Sequence, residues 1–290
     1  MKKKASFSRR AKPYLFLAPM LIFALLFVWY PFCRTFLYAF SSVNIRGEIT
    51  GFSGLENFSY LFGRSAFRTA LENTLLLTAV NVPVTLIITL ALAALACRKK
   101  PLGAIYETLF SLPMTVAVST AALIFKVMLH PSLGFVNSLL GIGCKWYESR
   151  ATALWGILLL TVWMGIGFNF LLFLSALRNI PSRLTDAALI DGAGKVRCFF
   201  RIQLPLISPV ILYVVCTNTV LSLMTAAPVM IIIKDSLKRG CSTLIYLMYS
   251  SGYQSSDYST AACISIIVFL MALGFTLLAF TAERKKVYDL

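Results

Sequence analysis

The chain has 290 residues, 59% of them hydrophobic, and a mean hydropathy of +0.81. Roughly half apolar is usual for a soluble domain, so this composition excludes an ordinary soluble globular fold and points to a polytopic membrane protein. The net charge of +16 argues for membrane lipid and against nucleic acid as a partner, because the basic residues gather at the termini and between apolar runs instead of along one surface.

Lys2, Lys3, Lys4, Arg9, Arg10 and Lys12 precede the apolar run Tyr14–Ala39. A basic start and an apolar middle resemble a secretory signal, but the run is too long and no small-residue cleavage site follows it, so the reading is an uncleaved membrane helix. Trp29 and Tyr30 suit its far interface, with Arg34 snorkelling beyond them. Five further runs, 70–97, 105–129, 151–177, 206–233 and 259–282, each reach the length of about 20 residues that a span needs. The predicted fold is therefore all-α, with six transmembrane helices and both termini on one side. Of the 27 Lys and Arg, 17 fall on the side holding 1–13, 98–100, 178–201 and 284–286, and 10 on the other. The positive-inside rule places the basic N-terminus 1–13, the C-terminus 283–290 and the 178–205 loop in the cytoplasm, flanking a membrane domain over 14–282.

Within the spans, Asn73, Asn81 and Pro83 in the second and Pro113 in the third predict packing contacts and bends. Glu107 and Lys126 lie near opposite ends of the third span, where a charge is least costly. His130 is the one histidine of the chain, with no partner at ligand spacing, so neither a metal site nor acid-base chemistry is expected. Gly165 and Gly167 allow helices to approach closely, and Asn169 at span depth needs a polar partner. Asn218, Ser222 and Thr225 recur at helical spacing and form a polar stripe, which either wets a path for a polar solute or bonds between helices. Asn169, Asn218, Ser222 and Thr225 are the candidate substrate path. The seven cysteines show no CxxC spacing; a Cys144–Cys241 disulfide is a hypothesis from their places in predicted outer loops. A phosphate-binding P-loop is absent, since around Gly194-Lys195 its first glycine position is Leu189 and its last position is Val196; no HExxH or GxSxG occurs either.

Between the fourth and fifth runs lies Thr185-Asp186-Ala187-Ala188-Leu189-Ile190-Asp191-Gly192-Ala193, continuing through Phe199 to Pro205. Pro181 and Ser182 open a short helix, with Ser182 able to cap it and Asp186 near its positive end. Leu184, Ala187, Ala188 and Asp191 share a face with little side chain, and Gly192 suits the stop. Val196, Phe199 and Phe200 then oppose Arg197 and Arg201, and Pro205 hands over to the next apolar run.

Asp186, Ala187, Ala188, Gly192, Ile202, Leu204 and Pro205 stand at the spacing of the Glu-Ala-Ala, Gly, Ile-x-Leu-Pro pattern, with Asp in place of Glu. The segment thus resembles the EAA loop of ABC importer permeases of the binding-protein-dependent carbohydrate type. Trp163 to Pro181, the Gly134-x-x-Asn137 segment and Gly54 to Phe58 resemble further stretches of that family. The resemblance implies a permease subunit for a sugar or related polyol, with no cofactor of its own and ATP and Mg held by a partner. It implies contact of Asp186, Ala187, Ala188, Asp191, Gly192, Ile202, Leu204 and Pro205 with an ATPase. The expected partners are a second, related permease subunit, two cytoplasmic ATPase subunits and an extracellular solute-binding protein meeting the first outer loop. A non-transporting membrane scaffold and a secondary transporter are the rival readings; the second needs a coupling-ion site, and no carboxylate occupies a span centre.

Overall fold

A computed structural model describes residues 14–97, 103–147, 150–233 and 240–284. The predicted basic N-terminus 1–13, the basic cluster 98–100 and residues 285–290 lie outside the described residues. Helices dominate, as the apolar runs require, and the chain divides into two compact units, Met1–Gly63 with Met248–Ile266 and Arg64–Leu247 with Ile267–Leu290.

In the first unit, α1 (Tyr14–Ala39) is a continuous span whose side chains are mostly exposed. It widens into a π turn at Leu25–Trp29, where the Tyr30 N–H reaches back to the Leu25 carbonyl just ahead of Pro31. A proline ring crowds the carbonyl four residues back and brings no N–H to it, and a wider turn relieves both. The expectation of a purely helical chain is modified by a small antiparallel hairpin, β1 (Ser41–Val43) with β2 (Ile49–Phe52), in the predicted first outer loop. Asn44 builds its turn, its Oδ1 accepting from the Arg46 and Glu48 amides, and Gly47 supplies the left-handed backbone at φ +79°. At the first turn of α2 (Glu56–Gly63), Asn57 Nδ2 donates to the carbonyls of Ala39 and Ser41, both at 3.0 Å, closing the base of the hairpin.

The second unit is built on two long helices that run side by side in the same direction, α3 (Ser65–Ala96) and α7 (Arg150–Arg178). A Cβ on Gly165 would lie 2.8 Å from Thr85 Cγ2, so the glycine is what lets the two helices come this close. Beside it, Asn81 Oδ1 accepts from Thr161 Oγ1 at 3.2 Å and Thr85 Oγ1 at 3.4 Å. These bonds satisfy a buried amide oxygen two residues before Pro83, through which α3 runs without a break.

The third run, read as one bent span, turns by 101° between Gly103–Thr115 and Val118–Met128. Helix α4 (Gly103–Ser111) passes through a 3-10 turn at Leu112–Thr115, with Pro113 in its first turn, into α5 (Val118–Met128). The 3-10 turn rests on α7 at Gly167, whose Cβ would fall 2.6 Å from the Met114 amide nitrogen. After α6 (Phe135–Leu140), Asn137 closes the intervening loop. Its Nδ2 donates to the Pro131 and Cys144 carbonyls and its Oδ1 accepts from Trp146 Nε1. His130 Nδ1 accepts from the amides of Ser132 and Leu133, a structural use of its ring.

Following α8 (Ser182–Ile190) and α9 (Lys195–Leu206), the fifth run departs from a single span over 206–233. The chain bends by 70° at Ile207 into α10 (Ser208–Leu223), which stops at Met224 before α11 (Ala227–Ile232). Pro209 and Pro228 sit in the first turns of these helices and cannot donate to the carbonyls four residues back, which is why the breaks fall where they do. Pro205 is inside α9, so the hand-over expected there occurs at Ile207. Lys126 is not merely interfacial: its Nζ donates to the Ile231 carbonyl at 2.8 Å, at the C-terminal end of α11. Asn73 Nδ2 donates to the Gly240 and Ser242 carbonyls, tying α3 to the stretch before α12 (Leu244–Tyr249). The last span is α13 (Tyr258–Arg284). Cys241 is buried in the apolar core and is not bridged to Cys144, so the hypothesised disulfide is not formed.

Because the nearest atoms to a Cβ at Gly167 are backbone, Gly167→Val has no cheap relief. It should cost about 1–3 kcal/mol, read as a lower melting temperature of the purified protein, whereas Gly143→Ala, with nothing within 4 Å of the new Cβ, should leave it unchanged.

Candidate functional site

The polar segment between α7 and α10 is two helices set against the ends of α3 and α7. Helix α8 begins with Pro181 as its N-cap and no side-chain cap, so the expected Ser182 cap is not made: Ser182 is already helical, and its carbonyl accepts from Thr185 Oγ1 at 2.7 Å. Asp186 lies in the second turn, exposed, and no acidic residue stands in the first. Gly192 carries the stop: at φ +82° its N–H donates to the Leu189 carbonyl, and the Ala193 N–H donates to the Ala188 carbonyl. That pair of bonds is a Schellman closure, which needs a left-handed residue at this point.

Of the face expected to be shared, Ala188 turns inward, while Leu184, Ala187 and Asp191 stay exposed. Nothing lies within 4 Å of a Cβ placed on Gly192. Ile190, beside it, is 86% exposed, and Val196 and Phe200 of α9 are exposed too. The segment is basic: Arg183, Lys195, Arg197 and Arg201 outnumber Asp186 and Asp191. Within it, Cys198 is buried and Phe199 half-buried, and a groove of about 350 Å³ runs between α8, α9 and the end of α3, lined in part by Leu95, Leu189, Val196 and Phe200.

Ile202, Leu204 and Pro205 do not join the exposed patch directly; they form the far end of α9. The segment Phe199–Gln203 is a π turn in which the Leu204 N–H reaches the Phe199 carbonyl, again just before a proline. The terminal pattern of the segment therefore sets the pitch of the helix that leads into the 70° bend.

The four candidate path residues are all buried inside this subunit. Asn169 and Asn218 are 3% and 5% exposed, and Asn169 Nδ2 donates to Asn218 Oδ1 at 3.0 Å, clasping α7 to α10. Asn218 Nδ2 goes on to the Val214 carbonyl, and the Thr225 carbonyl accepts from Thr243 Oγ1 at 2.6 Å. Ser222 lies between them, also buried. Two features escaped the sequence. Ile190 gave a signal, an apolar residue at the end of a polar helix; the ion pair of Glu107 with Arg178, which ends α7, gave none because 71 residues separate the two. Among the described residues no group of three His, Cys, Asp or Glu is placed to hold a metal ion.

With this geometry in place, comparison with known proteins defines the class. Residues 84–286 match the family described as binding-protein-dependent transport system inner membrane component. The chain is 34% identical over 292 residues to the sn-glycerol-3-phosphate transport system permease protein UgpA of Yersinia pestis, covering 98% of each chain. With the UgpA of Pectobacterium atrosepticum it shares 32% over 283 residues, covering 95% of each. Its fold is similar to a chain of a bacterial alginate ABC transporter solved with an alginate pentasaccharide-bound periplasmic protein, at TM-score 0.85 and 21% identity, covering 98% of both. A chain of the MetNI methionine ABC transporter is more distant, at TM-score 0.53 and 16% identity, over 80% of this chain and 97% of that one. This chain belongs to the family of binding-protein-dependent ABC importer permeases. It is a multi-pass inner-membrane subunit, not itself catalytic, of a family that carries no cofactor.

Gly192→Ala keeps the charge and nearly the size of the residue but not its backbone freedom. The left-handed region costs a non-glycine residue about 1–2 kcal/mol, so amide exchange at Gly192 and Ala193 should accelerate about tenfold, and less in Gly192→Asn.

Proposed function

We propose that this chain forms half of the translocation path of an ATP-driven importer for a sugar or related polyol, and that its 178–205 segment is the docking surface for a cytoplasmic ATPase. The observation that carries the reading is the surface around Gly192. A short helix is closed by a left-handed glycine with open space beside it, and Ile190, Ala187 and Asp191 stand clear around it. Such a knob fits a cleft on another protein, and the basic character of the segment fits an acidic partner surface. Asp186 keeps the charge of the usual Glu with one methylene less reach, so the ATPase side comes closer or makes a weaker contact there. Ile202, Leu204 and Pro205 complete the lever by fixing how α9 meets α10.

Hydrolysis of ATP with Mg belongs to the two ATPase subunits. Their closure drives the segment, and the attached spans turn the cavity from one side of the membrane to the other. A second, related permease subunit supplies the other half of the path, and the extracellular binding protein delivers the solute to the outer loops. By linkage, a loaded binding protein outside alters ATP hydrolysis inside. Both termini and the 178–205 segment lie in the cytoplasm, as the charge distribution supports. Family membership leaves no place for the scaffold or secondary-transporter readings. Relatives named for sn-glycerol-3-phosphate at 34% identity make that polyol phosphate the first solute to test. Asn169, Asn218, Ser222 and Thr225 stand behind the path as helix-to-helix fasteners, the role their burial supports.

Asp is tolerated in the left-handed region better than most residues, so Gly192→Asp should leave the segment folded while adding charge and bulk where the ATPase docks. In vesicles holding the whole complex, uptake of sn-glycerol-3-phosphate should fall at least tenfold with normal membrane levels. Normal uptake in Gly192→Asp would overturn the docking assignment; uptake of a different sugar by the unaltered complex would change only the solute.

A further inference from the structure

Helix α4 has no buried residue of its own, yet it is fastened along the C-terminal half of α7 at three points. Arg178 Nη1 and Nη2 donate to Glu107 Oε2 and Oε1 at 3.2 and 2.5 Å, a two-pronged ion pair. Phe110 meets Phe170 edge-on with ring centroids 5.4 Å apart. Gly167 lies against the Ser111 carbonyl and the Met114 amide with no room for a side chain. The numbers rise along α4 as they fall along α7, so the three contacts make one antiparallel seam.

The seam ends at the base of the docking segment, since Arg178 is the last residue of α7 and α8 starts at Ser182. At its other end the chain leaves the seam through Val116 and Ala117, both extended, before the 101° turn into α5. Helix α5 is held farther along: Lys126 bonds the Ile231 carbonyl, Ala121, Ala122 and Phe125 share a core with Val229 and Ile232, and Phe125 also meets Trp163 in the first half of α7 with ring centroids 5.6 Å apart. The two halves of the bent span thus rest on different stretches of α7, with α5 held by α11 as well and two non-helical residues between them.

Resting on the coupling role given above to the 178–205 segment, we propose that α4 is a transmission arm. The Glu107–Arg178 pair latches it to the base of that segment, and it swings about Val116–Ala117 when the segment moves. A partly exposed ion pair adds little to stability, but its two parallel hydrogen bonds fix orientation as well as distance. That combination suits a link that must hold direction while both sides move. Glu107 and Arg178 are positioning residues, and neither is assigned contact with the solute.

The test uses the full complex of permease pair and ATPases in nanodiscs, with a fluorescent amino acid at Thr108, exposed on α4, or at Arg197, exposed on α9. ATP with vanadate should change the emission of both probes in the otherwise unaltered protein. In Glu107→Arg and in Arg178→Glu the Arg197 probe should keep its response while the Thr108 response falls at least fivefold. The double variant Glu107→Arg/Arg178→Glu should recover at least half of it. Full Thr108 response in the single variants, no recovery in the double, or loss of the Arg197 response together with that at Thr108 in the single variants would each overturn the latch. A silent Thr108 probe beside a responding Arg197 probe in the unaltered complex would overturn it too. If neither probe responds there, the coupling role itself falls, and the latch with it.

Discussion

How closely another backbone can approach α7 governs the architecture of the larger unit. Gly165 brings α3 to within contact of a bare helix surface, and two residues on Gly167 receives the 3-10 turn between α4 and α5. In the apolar interior of a membrane, helices gain little from burying apolar side chains, so close packing and polar bonds between helices hold the bundle. The Asn81 bonds from Thr161 and Thr85 sit where Gly165 lets α3 meet α7, and the Asn169–Asn218 bond ties α7 to α10. A stretch outside the α-helix such as Leu112–Ala117 is tolerable at membrane depth only where protein or water covers it, and Gly167 provides part of that cover.

Proline sets the second constraint, and its effects differ with context. Pro31 and Pro205 each follow a π turn, where the helix widens and continues. Pro113 lies in the 3-10 turn of the 101° bend, and Pro209 and Pro228 open helices after breaks. Pro83 leaves α3 unbroken. The breaks divide the third and fifth runs into separate pieces, while α3 and α7 stay whole. A machine that turns a cavity from one face to the other needs both kinds of element, stiff levers and joints.

The apolar runs made the helical bundle legible, and the seven-position pattern from Asp186 to Pro205 made the family legible, because both are local in sequence. The bend at Pro113 was readable for the same reason. What could not be read was set by tertiary contact or by competition between local signals. Pro181 took the cap position that Ser182 was expected to fill. The hairpin at Ser41–Val43 and Ile49–Phe52 depends on Asn44 and on Asn57 reaching back over 16 and 18 residues, which no periodicity reveals. Asn218 and Ser222 are buried on α10 while Thr225 lies past its end at Leu223, and whether such a stripe faces water or another helix depends on where α7 lies.

The central claim is that an exposed apolar knob beside Gly192 is covered by an ATPase. A photo-crosslinking amino acid at Ile190, in membranes containing the complete importer, addresses this most directly. The account predicts an adduct with the ATPase from Ile190 and none from Ile45 at the hairpin tip; an ATPase adduct from Ile45, or none from Ile190, would contradict it.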